Sequence, residues 1–386
     1  MDGKYPRGRD KYIFAGGGTA GHVNPALAVA KALQKMEPEA EILFLASYDG
    51  LEKDLVAEAG FKYELIHAEA LPNNKWGYPG FLWQNLCGFV QALSILRKEP
   101  VKAVLGTGGY VSAPLIMAAK YAGVAAYLHE QNAYPGRSNR FLAKKAKAVC
   151  LTFEASREFF EGCADEKFYH TGNPIKPEFF LHQKSKIRAD LGLSPQQELV
   201  VAVGGSLGAK SLNQAVEGLP ACPAWPKFIE QHPEFLLLLS VGKINKRFVK
   251  EAPQDKHLRF VEYIDTSAWL PAADLLVGRA SGGFLAEAAA TAQASILLPF
   301  PQAAEDHQKR NALVFEQAGA SLILEDKDLT SELLLDYIEA LLVDSVRLKA
   351  MRRAAKSLAC KEAAEKIAYL MSRGILEGDA HASAAK

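Results

Sequence analysis

Twice in this chain an apolar, strand-like run gives way to a cluster of glycines and then to a helical pattern. KYIFAGGGTAGH occupies 11–22 and LVVAVGGSLGA occupies 199–209, about 190 residues apart. A spacing that long indicates duplicated architecture and not a short-period solenoid. Around each copy, short apolar runs alternate with amphipathic helical patterns. The first series of strands is expected at 11–15, 41–46, 62–66, 101–105, 124–128 and 147–152, with helices near 25–36, 52–59, 81–98, 112–122 and 137–146. The second series has strands at 198–203, 235–240, 258–261, 273–277, 294–298 and 321–324, with helices near 209–217, 283–292, 306–318 and 330–342. Such alternation argues for βαβ units and parallel sheets. Continuous runs such as ILFLA and LLLLS suit strands covered on both faces.

The chain of 386 residues is long enough for two cores. The expected division is 1–173, 174–343, C-terminal helices over 344–374 that turn back toward the first domain, and a disordered tail over 375–386. Thr171–Pro177 and the polar run around His182–Arg188 read as the linker. With 45 basic and 44 acidic side chains the charge is balanced, which is not the footprint of a nucleic-acid binder. Five scattered cysteines without a CxxC indicate neither a disulfide framework nor a zinc site, and suit a reducing cytosol. The first ten residues lack a signal-peptide apolar core, and Trp76–Leu96 is interrupted by Pro79, Gln84, Asn85 and Gln91, so no bilayer-spanning segment is expected.

Ligands of open α/β sheets bind outside the carboxyl ends of the strands, so the glycine loops are the first candidates. Gly16–Gly21 satisfies GxGxxG, and its backbone N–H groups with the helix N-terminus suit a phosphate. A dinucleotide site would also want an acidic residue ending the second strand, but that strand ends ILFLAS with Asp49 beyond it. The plain alternative is a tight strand–helix turn. Gly204–Gly208, with Ser206, lacks a P-loop lysine yet could hold a diphosphate.

His22 closes the first loop and could accept a hydroxyl proton, or could merely cap or pack. His129-Glu130-Gln131-Asn132 follows a strand end, where four polar residues must either bind something polar or satisfy one another. Gly108-Gly109-Tyr110 follows another. From Arg279 through Glu287 small residues lead into a helix, and Glu287 could take ribose hydroxyls or simply complement the helix dipole. Asp306-His307-Gln308 opens a further helix, Asp306 being a candidate N-cap. Asp326-Lys327-Asp328 spells a DxD of the sort that holds a metal-bound nucleotide, although an N-terminal capping cluster fits its position better. Leu82, Leu86, Phe89, Leu93 and Leu96 fit a core-facing helical stripe. Trp76, Tyr78, Phe81 and Trp83, with basic residues nearby, suit a bilayer interface.

GGGTAGHVNPALAVA, GTGGYVSAP, HEQNAYPGRSNRFLAK, TGNPIK, GGSLGAKSLN, RASGGFLAE and PFPQAAEDHQKRNA together resemble, in order, the blocks of the MurG family of bacterial glycosyltransferases. The resemblance runs from about residue 11 to the final helices. It implies a GT-B fold, in which two Rossmann-like domains with parallel sheets face each other across a cleft. It also implies inverting transfer of N-acetylglucosamine from UDP-GlcNAc to the C4 hydroxyl of the MurNAc of lipid I, giving lipid II for peptidoglycan synthesis, and with it roles in cell shape and division. By this likeness Thr19, Ala20 and Gly21 line the donor–acceptor region, and His22 is the base or an acceptor-phosphate ligand. Asn132 meets the donor sugar, Ser206 holds donor phosphate, and Ile264 contacts uracil through its backbone. Gly282, Gly283, Phe284, Leu285, Ala286 and Glu287 wrap the nucleotide, with Glu287 on the ribose, and Gln308 binds the sugar. Lys176 stands where the family often has arginine, turning a bidentate grip into a point charge. Ser281 and Ala20 replace glycines common at those places. The implied partners are UDP-GlcNAc, lipid I, an anionic membrane surface at the cytoplasmic face of the plasma membrane, and cell-wall synthesis and division proteins, with no obligatory cofactor or metal and no nucleic acid. Rival readings are another GT-B UDP-sugar transferase or UDP-GlcNAc epimerase, an NAD-dependent oxidoreductase, and a silent nucleotide-binding module.

Overall fold

The computed structural model describes residues 9–72, 74–181 and 184–374. Its contacts divide the chain into two units, Met1–Ile175 with Glu362–Lys386, and Lys176–Lys361. The tail expected over 375–386 lies outside the described residues, as do His182 and Gln183 of the expected linker.

The first unit holds seven strands: β1 (Lys11–Ala15), β2 (Glu41–Ser47), β3 (Lys62–Ile66), β4 (Ala103–Gly106), β5 (Ala125–Glu130), β6 (Ala148–Leu151) and β7 (Phe168–His170). Its helices are α1 (Ala20–Met36), α2 (Glu52–Glu58), α3 (Tyr78–Lys98), α4 (Ser112–Ala122) and α5 (Arg137–Ala143). All pairings are parallel, in the order β3-β2-β1-β4-β5-β6-β7. Successive residues of β1 serve opposite faces: Tyr12 and Phe14 enter one buried cluster, Ile13 and Ala15 another. That explains why the sequence is apolar at every position from Tyr12 to Ala15.

The second unit contains β8 (Glu198–Val203), β9 (Phe235–Ser240), β10 (Leu258–Val261), β11 (Leu275–Gly278), β12 (Ser295–Leu297) and β13 (Ser321–Ile323). Around them lie α6 (Lys184–Asp190), α7 (Lys210–Glu217), α8 (Trp225–Gln231), α9 (Arg247–Lys250), α10 (Thr266–Ala272), α11 (Gly282–Ala290), α12 (His307–Gln317), α13 (Ser331–Val343) and α14 (Ser345–Ser357). The order is β10-β9-β8-β11-β12-β13, again all parallel. Both units are thus doubly wound α/β sheets, as the alternation predicts. The order reverses beside β1 and β4 in one sheet and beside β8 and β11 in the other. Crevices at strand carboxyl ends fall at those points, and the glycine loops occupy them.

The helices expected over 344–374 divide between the units. α14 lies against α11 and α13, whereas α15 (Ala363–Arg373) belongs to the first unit and lies along α1. Ile367 and Ala368 are fully buried in the same cluster as Val29 and Leu33, and Ser372 donates to Glu37.

Two expectations need correction. Part of the polar run read as linker is α6. Its sequence shows no apolar stripe because polar contacts hold it: Lys184 Nζ donates to Asp274 at 2.6 Å, while Arg188 Nη1 donates to the Ala272 carbonyl at 2.8 Å and to Asp274 at 3.1 Å. The stripe assigned to α3 holds only in its second half, where Phe89, Leu93 and Leu96 pack on the core. Leu82 and Leu86 are exposed, and the buried face is Gly88, Ala92, Ile95 and Leu96. Gly88 sits there because a Cβ would overlap the His67 carbonyl oxygen, so the helix approaches β3 through its smallest residue.

Candidate active site

In the first unit the β1–α1 and β4–α4 loops interlock. The Gly17 N–H reaches the Gly108 carbonyl at 3.4 Å, and a Cβ on Gly109 would collide with the Gly17 carbonyl. Gly108 has φ +103°, a conformation that side chains resist, and a Cβ there would stand 2.9 Å from His22 Cδ2. Thr19 is the N-cap of α1, and Ala20, Gly21 and His22 form its first turn. His22 Nδ1 lies 3.0 Å from the Gly17 carbonyl oxygen and 3.3 Å from Thr19 Oγ1, while Thr107 Oγ1 donates to the His22 carbonyl at 2.7 Å. The imidazole is therefore held through Nδ1, and its backbone through Thr107, at the place where the strand order reverses.

The HEQN run at the end of β5 largely satisfies itself. Glu130, buried, accepts from the Asn132 backbone at 2.9 Å, Asn132 Nδ2 at 3.1 Å, the Gly136 backbone at 3.1 Å and Asn139 Nδ2 at 2.8 Å. Burial pushes its carboxyl pKa up, against those four donors. Gln131 Nε2 donates to the Thr107 carbonyl at 2.6 Å and to His129 Nδ1 at 2.9 Å. His129 Nε2 then donates to the Gly172 carbonyl at 3.1 Å. Burial lowers the His129 pKa to about 4, so this ring is neutral scaffolding. Of the four residues only Asn132 is half-exposed, at the rim next to the β4 loop.

Glu52 is a residue that sequence reasoning passed over. Its buried carboxylate accepts from the Ser47 N–H at 2.9 Å and from Ser47 Oγ at 2.6 Å. A Cβ on Gly17 would stand 3.2 Å from it, so Glu52 supports the first glycine loop from behind.

In the second unit the β8–α7 loop carries Ser206 at an exposed bend between Gly205 (φ +88°) and Gly208 (φ +81°). The Ser206 carbonyl accepts from the Lys243 N–H at 3.2 Å, and Asn245 Nδ2 donates to the Leu207 carbonyl at 2.9 Å. A Cβ on Gly208 would strike the Val241 carbonyl, so glycine is required where the two loops touch.

Ser281, at the place where glycine was the expectation, caps α11: its Oγ accepts from the Phe284 N–H at 3.4 Å. Gly282, Gly283, Phe284, Leu285, Ala286 and Glu287 then wind through the first turns of that helix. Glu287 is half-buried, and burial pushes its pKa up to about 7. A hydrogen bond from Thr266 and the charge of Lys176 oppose the rise, and Asp265 adds to it. The loop bearing buried Ile264 is thus adjacent to Glu287, and Lys176 faces the same carboxylate. Thr266 and Asp265 carried no signal in the sequence. Gln308 stands in the first turn of α12, where its Oε1 accepts from the Phe300 N–H at 3.0 Å.

The acidic pair Asp326 and Asp328 does not cap α13, because Thr330 Oγ1 takes the Leu333 N–H at 3.1 Å. Asp326 instead pairs with Arg279. Asp306 holds the N-cap position of α12 in a left-handed conformation, and its side chain makes no capping bond. Among the described residues no group of three His, Cys, Asp or Glu side chains is placed to hold a metal ion.

Two sheets that each reverse order at a glycine loop, one offering a fixed histidine and the other a carboxylate beside small residues, define a class of nucleotide-sugar enzyme. Family models agree: residues 12–151 match the glycosyltransferase family 28 N-terminal domain and 199–367 its C-terminal domain. A Thermoanaerobacter sp. protein is 36% identical over 94% of this chain and 99% of its own. One from Halothermothrix orenii is 35% identical over 90% and 94%. Both carry the name UDP-N-acetylglucosamine--N-acetylmuramyl-(pentapeptide) pyrophosphoryl-undecaprenol N-acetylglucosamine transferase. The crystal structure of Acinetobacter baumannii MurG matches with a TM-score of 0.73 and 26% identity, over 95% of this chain and 99% of that one. A Staphylococcus aureus MnaA–UDP structure shares the fold at TM-score 0.67 and 14% identity, over 95% and 98%. The chain belongs to this family of N-acetylglucosaminyltransferases, within glycosyltransferase family 28 and the GT-B fold.

Proposed function

We propose that this chain transfers N-acetylglucosamine from UDP-GlcNAc to the C4 hydroxyl of the MurNAc of lipid I, with inversion, giving lipid II. The observation that carries the reading is near-complete coverage of relatives bearing that transferase name, combined with a fixed His22 at the switch point of the first sheet.

The second unit takes the donor. Ser206 and the neighbouring amides receive the diphosphate, helped by the partial positive charge at a helix start. Ile264 meets uracil through its backbone, Glu287 accepts from the ribose hydroxyls, and Lys176 lies close enough to Glu287 to tune its charge. Residues Gly282 to Ala286 bring backbone close to the nucleotide, and Gln308 and Asn132 meet the sugar. On the acceptor side, Thr19, Ala20 and Gly21 form the rim, and His22 takes the proton as the C4 oxygen attacks the anomeric carbon. The bond from that carbon to the β-phosphate oxygen breaks, and its electron pair leaves with UDP. Donors preorganised for that charge lower the barrier.

Membrane contact at the cytoplasmic face belongs to the same reading. Trp76, Leu82, Trp83 and Leu86, on and just before the first half of α3, are all more than half exposed, in a segment bounded by Lys75, Arg97 and Lys98. No helix among the described residues is long and apolar enough to cross a membrane. Contacts with cell-wall synthesis and division proteins would follow from work at that surface.

The test is a transfer assay with a soluble lipid I analogue and labelled UDP-GlcNAc, the product linkage assigned by NMR. A β-1,4 disaccharide product is expected. Epimerised UDP-GlcNAc, or turnover only with diacylglycerol, would replace this reading with one of its rivals.

A further inference from the structure

Four adjacent strands of the second sheet, β8, β11, β12 and β13, deliver their following loops to a single buried guanidinium. Arg279 directly follows β11. Its Nη1 donates to the Leu298 carbonyl at 3.0 Å and the Pro299 carbonyl at 3.5 Å, both just beyond β12. The same nitrogen meets Asp326 Oδ1, beyond β13. Nη2 donates to Ser211 Oγ at 3.1 Å, in the first turn of α7 after β8, and Ser211 in turn donates to Asp326 Oδ1 at 2.6 Å. The Phe300 ring completes the enclosure, 5.4 Å from the guanidinium carbon.

Both terminal nitrogens of the guanidinium are already engaged by protein oxygens, the arrangement of a clamp between loops and not of an open phosphate grip. Its position says what it does instead. The turn it clamps begins the connection to Gln308, and that connection is strained: Glu305 and Asp306 are consecutive non-glycine residues at φ +54° and +53°. Such conformations persist only where the surroundings impose them. Beyond the strained pair, the Phe300 N–H fixes Gln308 Oε1, which leaves the amide NH2 as the end presented to a ligand's oxygen.

We propose that Asp326 is a positioning residue for the donor sugar: with Ser211 it locks Arg279, which holds the 298–300 turn and through it Gln308. The inference rests on the donor reading given under Proposed function. It also separates sugar from nucleotide, since the groups that act on Glu287, Thr266 and Lys176 among them, are not members of this clamp.

The experiment is calorimetry of UDP-GlcNAc and UDP binding to the full chain and to Asp326→Asn and Ser211→Ala, with thermal melting in parallel. The expected result is an approximately tenfold loss of UDP-GlcNAc affinity in Asp326→Asn, a smaller loss in Ser211→Ala, and UDP affinity within about twofold of the parent. If both ligands weaken together in step with melting temperature, the pair is merely structural and the proposal is overturned. Unchanged UDP-GlcNAc affinity in both variants overturns it as well. Failure of the unsubstituted chain to bind UDP-GlcNAc would instead remove the donor reading itself, and the inference with it.

Discussion

The imidazole Nδ1 of His22 lies 3.0 Å from the carbonyl oxygen of Gly17. A carbonyl can only accept, so Nδ1 carries the hydrogen and the lone pair resides on Nε2. The hydrogen bond made by one ring nitrogen commonly decides that the other does the chemistry. For a base that must take a hydroxyl proton this is the required tautomer. His22→Ala should lower kcat by about 10²- to 10⁴-fold, the usual range for general-base catalysis. UDP-GlcNAc affinity measured by calorimetry should stay within about twofold. His22→Asn, which keeps a donor for Gly17 but no base, should be as slow. Near-parental turnover in either variant removes His22 from proton transfer.

Glu287 gives donor binding a pH dependence. Burial, above all, pushes its carboxyl pKa up to about 7. Ribose hydroxyls donate, so they bind the ionised form better. UDP-GlcNAc affinity should therefore be flat above about pH 8 and fall toward tenfold per unit below 7. The sugar nucleotide suits this test because its diphosphate, esterified at both ends, does not titrate in that range. For folding stability the sign is reversed. A raised acid pKa means that the neutral carboxyl stabilises the fold below about pH 4.5, and that this contribution is lost as pH rises through 7. Glu287→Gln should flatten both curves, melting higher than the parent at pH 8 and binding UDP-GlcNAc weakly at every pH. Persistence of the pH dependence in Glu287→Gln would assign it to another group.

Both sheets were legible in the sequence because their central strands are buried on two faces, and so run apolar after the first residue. Lys11–Ala15 and Glu198–Val203 need no partner to be recognised. The glycine loops were legible for a related reason: only glycine tolerates the left-handed backbone at Gly108 and Gly208 or the approach to Val241. What escaped is held by polar contacts between distant residues. α6 exists because Lys184 and Arg188 find Asp274, about ninety positions away. Asp326 resembled a cap or a metal ligand until Arg279, 47 residues earlier, supplied its partner. The α3 stripe failed only at its start: Phe89, Leu93 and Leu96 meet the core while Leu82 and Leu86 stay exposed, and a periodicity does not say how far along the helix the core extends.

That exposed beginning of α3 makes its own prediction. Trp76 is 94% exposed and Leu82 and Trp83 each 65%, a cluster that a monomeric surface has reason to avoid unless it is used. Replacing Leu82, Trp83 and Leu86 together by serine should reduce sedimentation with vesicles containing phosphatidylglycerol at least tenfold. Because none of the three lies in the β1 or β4 loops, turnover of a soluble lipid I analogue should remain near the parental value. Vesicle binding that survives the triple substitution would place the membrane contact elsewhere.

The last prediction concerns Glu130, whose position in the HEQN run invites a catalytic reading. Its carboxylate is already occupied by four N–H donors from Asn132, Gly136 and Asn139. It shapes the turn that puts Asn132 at the rim, and it has little acceptor capacity left for a substrate. Removing such a buried hub leaves several donors without water or protein to satisfy them. Glu130→Ala should thus cost on the order of 3–5 kcal/mol in urea unfolding. Glu130→Gln, which keeps one acceptor oxygen but turns an NH2 toward two donors, should cost about half as much. The kinetic signature separates scaffold from catalyst. In Glu130→Gln at a temperature where it is folded, KM for UDP-GlcNAc should rise with the displacement of Asn132, while the pH profile of kcat keeps its shape. A lost limb in that profile would mean that Glu130 itself moves a proton.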